Sequence, residues 1–250
     1  MQIQRLSWAG VRITVEETTI LIDPLGQIDA RMERLMGKQL AELTDLSALS
    51  QPSGVFITHE HADHFDAPSL LAAFGANVPI YAPAAAVENV RKTGLHNVTG
   101  LEVGERVEVG AMHVTAVPSV DGLGFPQVAW VVEGGGKKTI HCGDTLWHGF
   151  WWEIAREHGP IDVALMPING VVLQISYLKP HSSLEAVLTP VQAVEAAYIL
   201  GVKTLVPIHY DTFDNPPRFA QAERVVERVR KAAEERGVSL ALLAQHEHLA

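Results

Sequence analysis

The stretch FITHEHADHFD, Phe56 to Asp66, places His59, His61, Asp63 and His64 side by side after a short apolar run. Imidazoles and carboxylates are the usual ligands of zinc and its neighbours where thiolates are lacking. The single cysteine, Cys142, leaves no material for a thiolate cluster or a disulfide framework. On an extended segment alternate residues share one side. His59 and His61 can therefore grip one ion, Asp63 continues their row, and His64 turns toward a second. Chance histidines in a polar loop rarely fall in the pattern H-x-H-x-D-H directly behind a strand-like run. Half a metal site requires another half downstream. Asp144 in HCGDT and His209 in VPIHYDT each stand where a strand-like run ends, as site residues on a rigid scaffold should.

The elements around these residues alternate in a readable way. RLSWAGVRITVE and ILIDP predict a hairpin, and GVFIT a buried strand feeding the histidine motif. Residues 27–50 carry helical spacings of Leu and Met. APSLLAAFG and AAAVENVRKTG predict helices on either side of the strand VPIYAP. Four strand-like runs follow from RVEVG to KKTIHCGD, separated by Gly-rich turns. Next come a helix in FWWEIAREHG, the strand IDVALMP and a less patterned stretch over 169–188. TPVQAVEAAYILG reads as a helix with Thr at its N-cap, Pro at its first position and Gly at its end. The strand TLVPI, a helix over 218–236 and a strand VSLALLA complete the chain. Strands first, then strands alternating with helices, predict an α/β protein with two sheets flanked by helices. With no linker, repeat or low-complexity segment, residues 1–250 are expected to form a single domain.

Bulk composition narrows the function. The chain has 250 residues, 19 basic against 29 acidic, for a net charge of −10. No Lys/Arg cluster stands out, so nucleic acid is a disfavoured partner. A small-molecule substrate is expected, and homo-oligomerisation is left open. The N-terminus lacks a basic stretch followed by an apolar run, and no apolar segment approaches the length of a membrane span. A cytoplasmic location is the default expectation.

Taken together, H-x-H-x-D-H, TILIDP at 19–24, HCGDT at 141–145 and VPIHYDT at 206–212 resemble the metallo-β-lactamase superfamily in order and spacing, over essentially the whole chain. DHFD, GDT and PIHYDTF resemble most the branch of the L-ascorbate-6-phosphate lactonases and the N-acyl-phosphatidylethanolamine phospholipase D. The resemblance implies a four-layer αβ/βα sandwich and two divalent ions, zinc first, with manganese or iron as alternatives. It assigns His59 and His61 to the first ion, Asp63, His64 and His209 to the second, and Asp144 to a bridge between them. It further implies a hydrolase that presents a shared hydroxide, oriented by Asp63, to a lactone or phosphodiester. One departure is evident. The branch carries a histidine in V-P-x-x-H, whereas AVPSVD places Asp121 there, a harder and anionic ligand. His181 is poised between a pocket role and a surface loop. Tyr210 is a candidate hydrogen-bond donor to substrate. Trp147, Trp151 and Trp152 are read as core packing before pocket wall, and QHEHL at 245–249 as a solvated tail. Two rival classes are a tRNA-processing type of nuclease, which the acidic balance opposes, and a non-catalytic metal-binding protein.

Overall fold

Apolar side chains with a period of two decide how the layers stack. The computed structural model describes residues 1–249. Its first sheet contains β1 (Gln2–Arg5), β2 (Val11–Val15), β3 (Thr18–Ile22), β4 (Gly54–Phe56), β5 (Ile80–Pro83) and β6 (Val98–Leu101), in that order. β1 to β3 are antiparallel and β3 to β6 parallel. The second sheet draws on β7 (Arg106–Val109), β8 (Met112–Pro118), β9 (Val128–Gly134), β10 (Lys137–His141) and β11 (Val163–Pro167). After the short β12 (Val172–Leu173), β13 (Thr204–Ile208) joins that sheet beside β11, giving the order β13-β11-β10-β9-β8-β7. β12 pairs instead with β14 (Phe219–Ala220) in a two-stranded ribbon.

Each strand divides its residues between two clusters. Ile20 and Ile22 of β3, Trp130 and Val132 of β9, and Leu165 of β11 fill the space between the sheets with Trp8 and Phe56. Their neighbours Leu21, Val131 and Ala164 point the opposite way. Helices cover those outer faces. α1 (Ala30–Met36) lies between β3 and β4 in the chain, and its Met36 joins the inter-sheet core. Leu70 and Phe74 of α2 (Ala67–Phe74) and Val90 of α3 (Val87–Lys92) pack outside the first sheet. Ile154 of α4 (Trp151–His158), Ala197 of α5 (Pro190–Leu200) and Val229 of α6 (Val225–Arg236) pack outside the second. Helix, sheet, sheet, helix is the expected αβ/βα sandwich. Among the described residues no helix is long and apolar enough to cross a membrane.

Three local expectations need correction. α6 starts at Val225, not 218, because Asn215 and Phe219 exchange backbone hydrogen bonds of 2.8 and 3.0 Å that hold residues 215–219 in the ribbon. VSLALLA forms no strand; Leu205 takes one bridge to Leu240 beside β13. QHEHL is not a free solvated tail. Arg5 N donates to Glu247 O, His246 N to Arg5 O and Leu249 N to Ile3 O, so this backbone covers the outer edge of β1.

The parallel strands β4, β10 and β13 end at one rim, where open α/β sheets hold their ligands. α5 supports β11 and β13 from outside. Its first turn is closed by a capping box, Gln192 N donating to Thr189 Oγ1 and Thr189 N to Gln192 Oε1. Thr189→Ala should therefore cost about 1 kcal/mol, lowering the melting temperature by roughly 2–4 °C in a thermal unfolding scan. An unchanged melting temperature would show that the cap is redundant.

Candidate metal centre

The histidine motif is pinned at both ends. Where β4 stops, Thr58 N and Thr58 Oγ1 donate to the two oxygens of buried Asp23, at 2.8 and 2.7 Å. Where α2 begins, Asp66 accepts from Ser69 N with one oxygen and from Gly26 N and Gln27 N with the other. In between, His64 N and Phe65 N both donate to His61 O, which turns the loop back on itself.

Neighbouring groups fix each imidazole. Because Thr58 Oγ1 donates to Asp23, it is free to accept from His59 Nδ1 at 3.0 Å, which leaves His59 Nε2 an acceptor, 2.8 Å from His61 Nδ1. His64 Nδ1 donates to Asp23 Oδ2 at 2.8 Å, which leaves His64 Nε2 facing Asp63 and Asp144 at 3.7 and 3.9 Å. His209 follows β13 with φ at +57°, a conformation unfavourable for a residue with a side chain. Its N–H donates to Trp8 O and its ring lies 4.0 Å from the Trp8 ring, which hold the strained turn in place. His209 Nε2 then sits 3.5 Å from Asp63 Oδ2 and 3.6 Å from Asp144 Oδ1. Asp144 follows Gly143, whose φ of +63° makes the sharp turn after β10. A Cβ at that glycine would come within 2.9 Å of the Thr58 side chain. Asp121 enters from the loop after β8. Its Oδ2 accepts from Leu123 N and Phe125 N, while Oδ1 faces His61 Nδ1 at 3.5 Å.

Two overlapping quartets result. His59, His61, Asp121 and Asp144 each offer one atom within 4.8 Å of the others, and so do Asp63, His64, Asp144 and His209. Asp144 belongs to both. The buried atoms His61 Nε2, His64 Nε2, His209 Nε2 and Asp144 Oδ1 have no hydrogen-bond partner. Such atoms are costly to bury unless a ligand completes them. The donor set therefore fits divalent cations.

The electrostatics agree. Burial, reinforced by His64 close by, pushes His59 well below the ordinary histidine value. Burial takes His209 down to about 4. Burial would also lower His64, but the Asp63 and Asp23 carboxylates raise it to about 9. Burial works against ionised Asp63, yet the imidazoles of His64 and His209 hold it below the usual carboxylate range. Asp144 moves well above that range, through burial and the repulsion of Asp63 and Asp121. His59 and His209 are thus neutral and suited to ligation as they stand, whereas His64 and Asp144, pushed toward their protonated forms by crowding, would have to give up a proton to a metal ion.

The centre forms the floor of a cleft of about 850 Å³, whose walls include Phe125, Ile175, Val187 and His181. His181 thus lines the cleft, its Nε2 held 3.2 Å from Ile175 O. Tyr210 goes elsewhere: it is buried in the cluster outside the second sheet, with the Arg5 guanidinium 4.7 Å above its ring. Neighbouring side chains at a strand end point opposite ways, so the residue after His209 packs in that cluster in place of the expected substrate contact. Trp151 is buried in the core, while Trp147 and Trp152 lie partly exposed on the surface. Two participants escape a reading of the motifs. Trp8 Nε1 donates to Asp63 Oδ2 at 3.1 Å, and Asp23 orients both Thr58 and His64. Only the polar residue ending the ILIDP run hinted at the second.

The beta-lactamase superfamily domain (Lactamase_B_2) matches residues 18–210. The UPF0173 metal-dependent hydrolase of Rubrobacter xylanophilus is 31% identical over 227 residues, covering 85% of this chain and 82% of its own. A metal-dependent hydrolase of Thermus thermophilus is 30% identical over 236 residues, covering 92% of each chain. Among solved structures, the isothiocyanate hydrolase from Delia radicum gut bacteria superposes with a TM-score of 0.79 at 16% identity, over 100% of this chain and 99% of that one. Igni18, a metallo hydrolase from Ignicoccus hospitalis, gives a TM-score of 0.71 at 20% identity, over 99% and 97%. These matches, made on a sandwich that gathers its histidines and aspartates at one rim, show that the chain belongs to the beta-lactamase superfamily and has the metallo-β-lactamase fold.

Proposed function

We propose that the chain is a metal-dependent hydrolase of an ester-type bond, a lactone or a phosphodiester, working with two divalent ions, zinc first and manganese or iron as alternatives. The observation that carries this reading is the pair of quartets sharing Asp144. His59, His61, Asp121 and Asp144 would hold one ion, and Asp63, His64, Asp144 and His209 the other. Such a pair supplies Lewis acidity and lowers the pKa of water toward neutrality. Relatives named as metal-dependent hydrolases, at 30–31% identity, support the hydrolytic class. The likeness of DHFD and PIHYDTF to lactonases and a phospholipase supports the choice of bond.

The chain's own groups have distinct tasks in this reading. Asp63, kept anionic by its imidazole neighbours, accepts a hydrogen bond from the attacking water and orients it. Trp8 Nε1 fixes which Asp63 oxygen is available for that contact. Asp23 holds the His64 tautomer that leaves Nε2 bare. Phe125, 4.4 Å from the His61 ring, screens that side of the floor from solvent.

Elemental analysis of purified protein should find about two divalent ions per chain. Asp144→Ala should lose both ions, and His59→Ala and His209→Ala should each lose one, with turnover of lactones or bis(p-nitrophenyl) phosphate falling more than about a hundredfold in every case. Full metal content in Asp144→Ala would overturn the shared-ligand assignment. Trp8→Phe keeps the ring over His209 but removes the donor to Asp63. It should retain both ions and lose roughly tenfold in kcat, which steady-state kinetics beside elemental analysis will show.

A further inference from the structure

Part of the cleft lining is basic in an acidic protein. Four of the nineteen Lys and Arg residues line it: Arg31, Arg34, Lys179 and Arg218. Among the described residues, the ion pairs made by Lys and Arg lie elsewhere, at Arg5, Lys138, Arg156, Lys203, Arg224, Lys231 and Arg236. Arg31 and Arg34 are three residues apart on α1, a spacing that puts both on one helix face. Arg218 arrives from the ribbon, and the two segments are fastened together: Asn215 Nδ2 donates to Leu35 O at 2.9 Å and to Arg34 O at 3.3 Å. Gln174 N donates to Arg218 O at 2.9 Å, which ties the strand leading to Lys179 into the same unit. Outside the metal centre the acidic lining residues are Asp29 and Glu60. Asp29 caps α1 through Arg31 N and Met32 N, and Glu60 accepts from Asn89 Nδ2. The same lining includes the apolar Leu35, Ile175 and Val187.

We infer that this wall is an anion subsite, which selects substrates carrying a phosphate or carboxylate away from the bond that is cut. The inference rests on the hydrolase reading and names its substrate class: a small amphipathic anion with its scissile carbonyl or phosphoryl group at the metal centre, an apolar middle against Ile175 and Val187, and its charged end on Arg31, Arg34 and Arg218. Guanidinium groups suit that end, since each offers a planar pair of donors to two oxygens of one anion. The volume of about 850 Å³ falls within the range of small-molecule sites.

The test uses metal-loaded protein and three δ-lactones that differ only in a distal phosphate, carboxylate or hydroxymethyl group. The two anionic lactones should have at least about tenfold higher kcat/KM than the neutral one, mainly through KM, and the advantage should shrink as salt rises from about 50 to about 500 mM. In R34Q/R218Q the ratio of anionic to neutral kcat/KM should collapse toward one. In K231Q, which removes one charge from the distant α6, the ratio should persist. Equal rates for the three lactones, or a preference that survives R34Q/R218Q, would overturn the subsite. If none is hydrolysed, calorimetric binding of the same three compounds to wild-type and R34Q/R218Q protein reads the preference directly. Loss of turnover then counts against the hydrolase reading alone.

Discussion

Six buried groups, His59, Asp63, His64, Asp121, Asp144 and His209, converge at one rim of the sandwich, and they are tolerable together only if positive charge lies among them. Removing an ion from water costs several kcal/mol even after relaxation, and a buried carboxylate facing another cannot stay ionised unaided. The rest of the fold can be understood as the means of holding these groups against their tendency to separate. Asp23 is central to that task. Its two oxygens take three donors, Thr58 N, Thr58 Oγ1 and His64 Nδ1, so one buried carboxylate sets both the strand-to-loop exit and an imidazole's tautomer.

The sandwich supplies the stiffness that such a site needs. Loops leaving β4, β10 and β13 have little freedom because their strands are buried, with Phe56 and Ile208 between the sheets and Val55, Ile140 and Leu205 under the helices. Part of the backbone strain lies at the rim, in the left-handed backbone of Trp8, Asp23 and His209. Each such conformation costs on the order of 1–3 kcal/mol and persists where the surroundings over-determine it. At His209 the over-determination is visible: the backbone bonds Trp8 O, and the imidazole lies against the indole. Trp8 therefore acts twice, once through its ring and once through its N–H on Asp63.

What the sequence revealed and what it hid divide along sequence distance. H-x-H-x-D-H is local, and its residues fall together whatever the rest of the chain does. Asp144 and His209 were legible because each ends an apolar run, and strand ends at one rim are where such folds place chemistry. Asp121 was legible through its place in AVPSVD, and its Oδ1 does face His61. Trp8 gave no signal, because an indole 55 residues before its carboxylate partner looks like any core aromatic. The tail at 245–249 misled for a related reason. Its side chains are polar and mostly exposed, and only its backbone pairs, with a strand more than 240 residues away. Tyr210 misled because neighbours at the end of a strand point to opposite faces, so the residue beside His209 packs in the cluster outside the second sheet.

The aspartate at 121 bears on charge as well as geometry. If two dications are held there, histidine at 121 would set two carboxylates against them, whereas Asp121 makes the number three and would leave one positive charge over at the floor. Asp121 is not a free counter-ion, since two backbone N–H groups already bind its Oδ2 and spread its charge into the 121–125 loop. Such a floor would attract anions less strongly than a centre with five histidine ligands and two carboxylates. A basic wall above it then has a clear physical purpose, because Arg31, Arg34 and Arg218 restore the field that draws an anion into the cleft of a protein whose net charge is −10. Capture is thereby separated from chemistry. On the proposed reading the wall would recognise the charged end of a substrate, while the floor, nearer to neutrality, would be left to act on the bond.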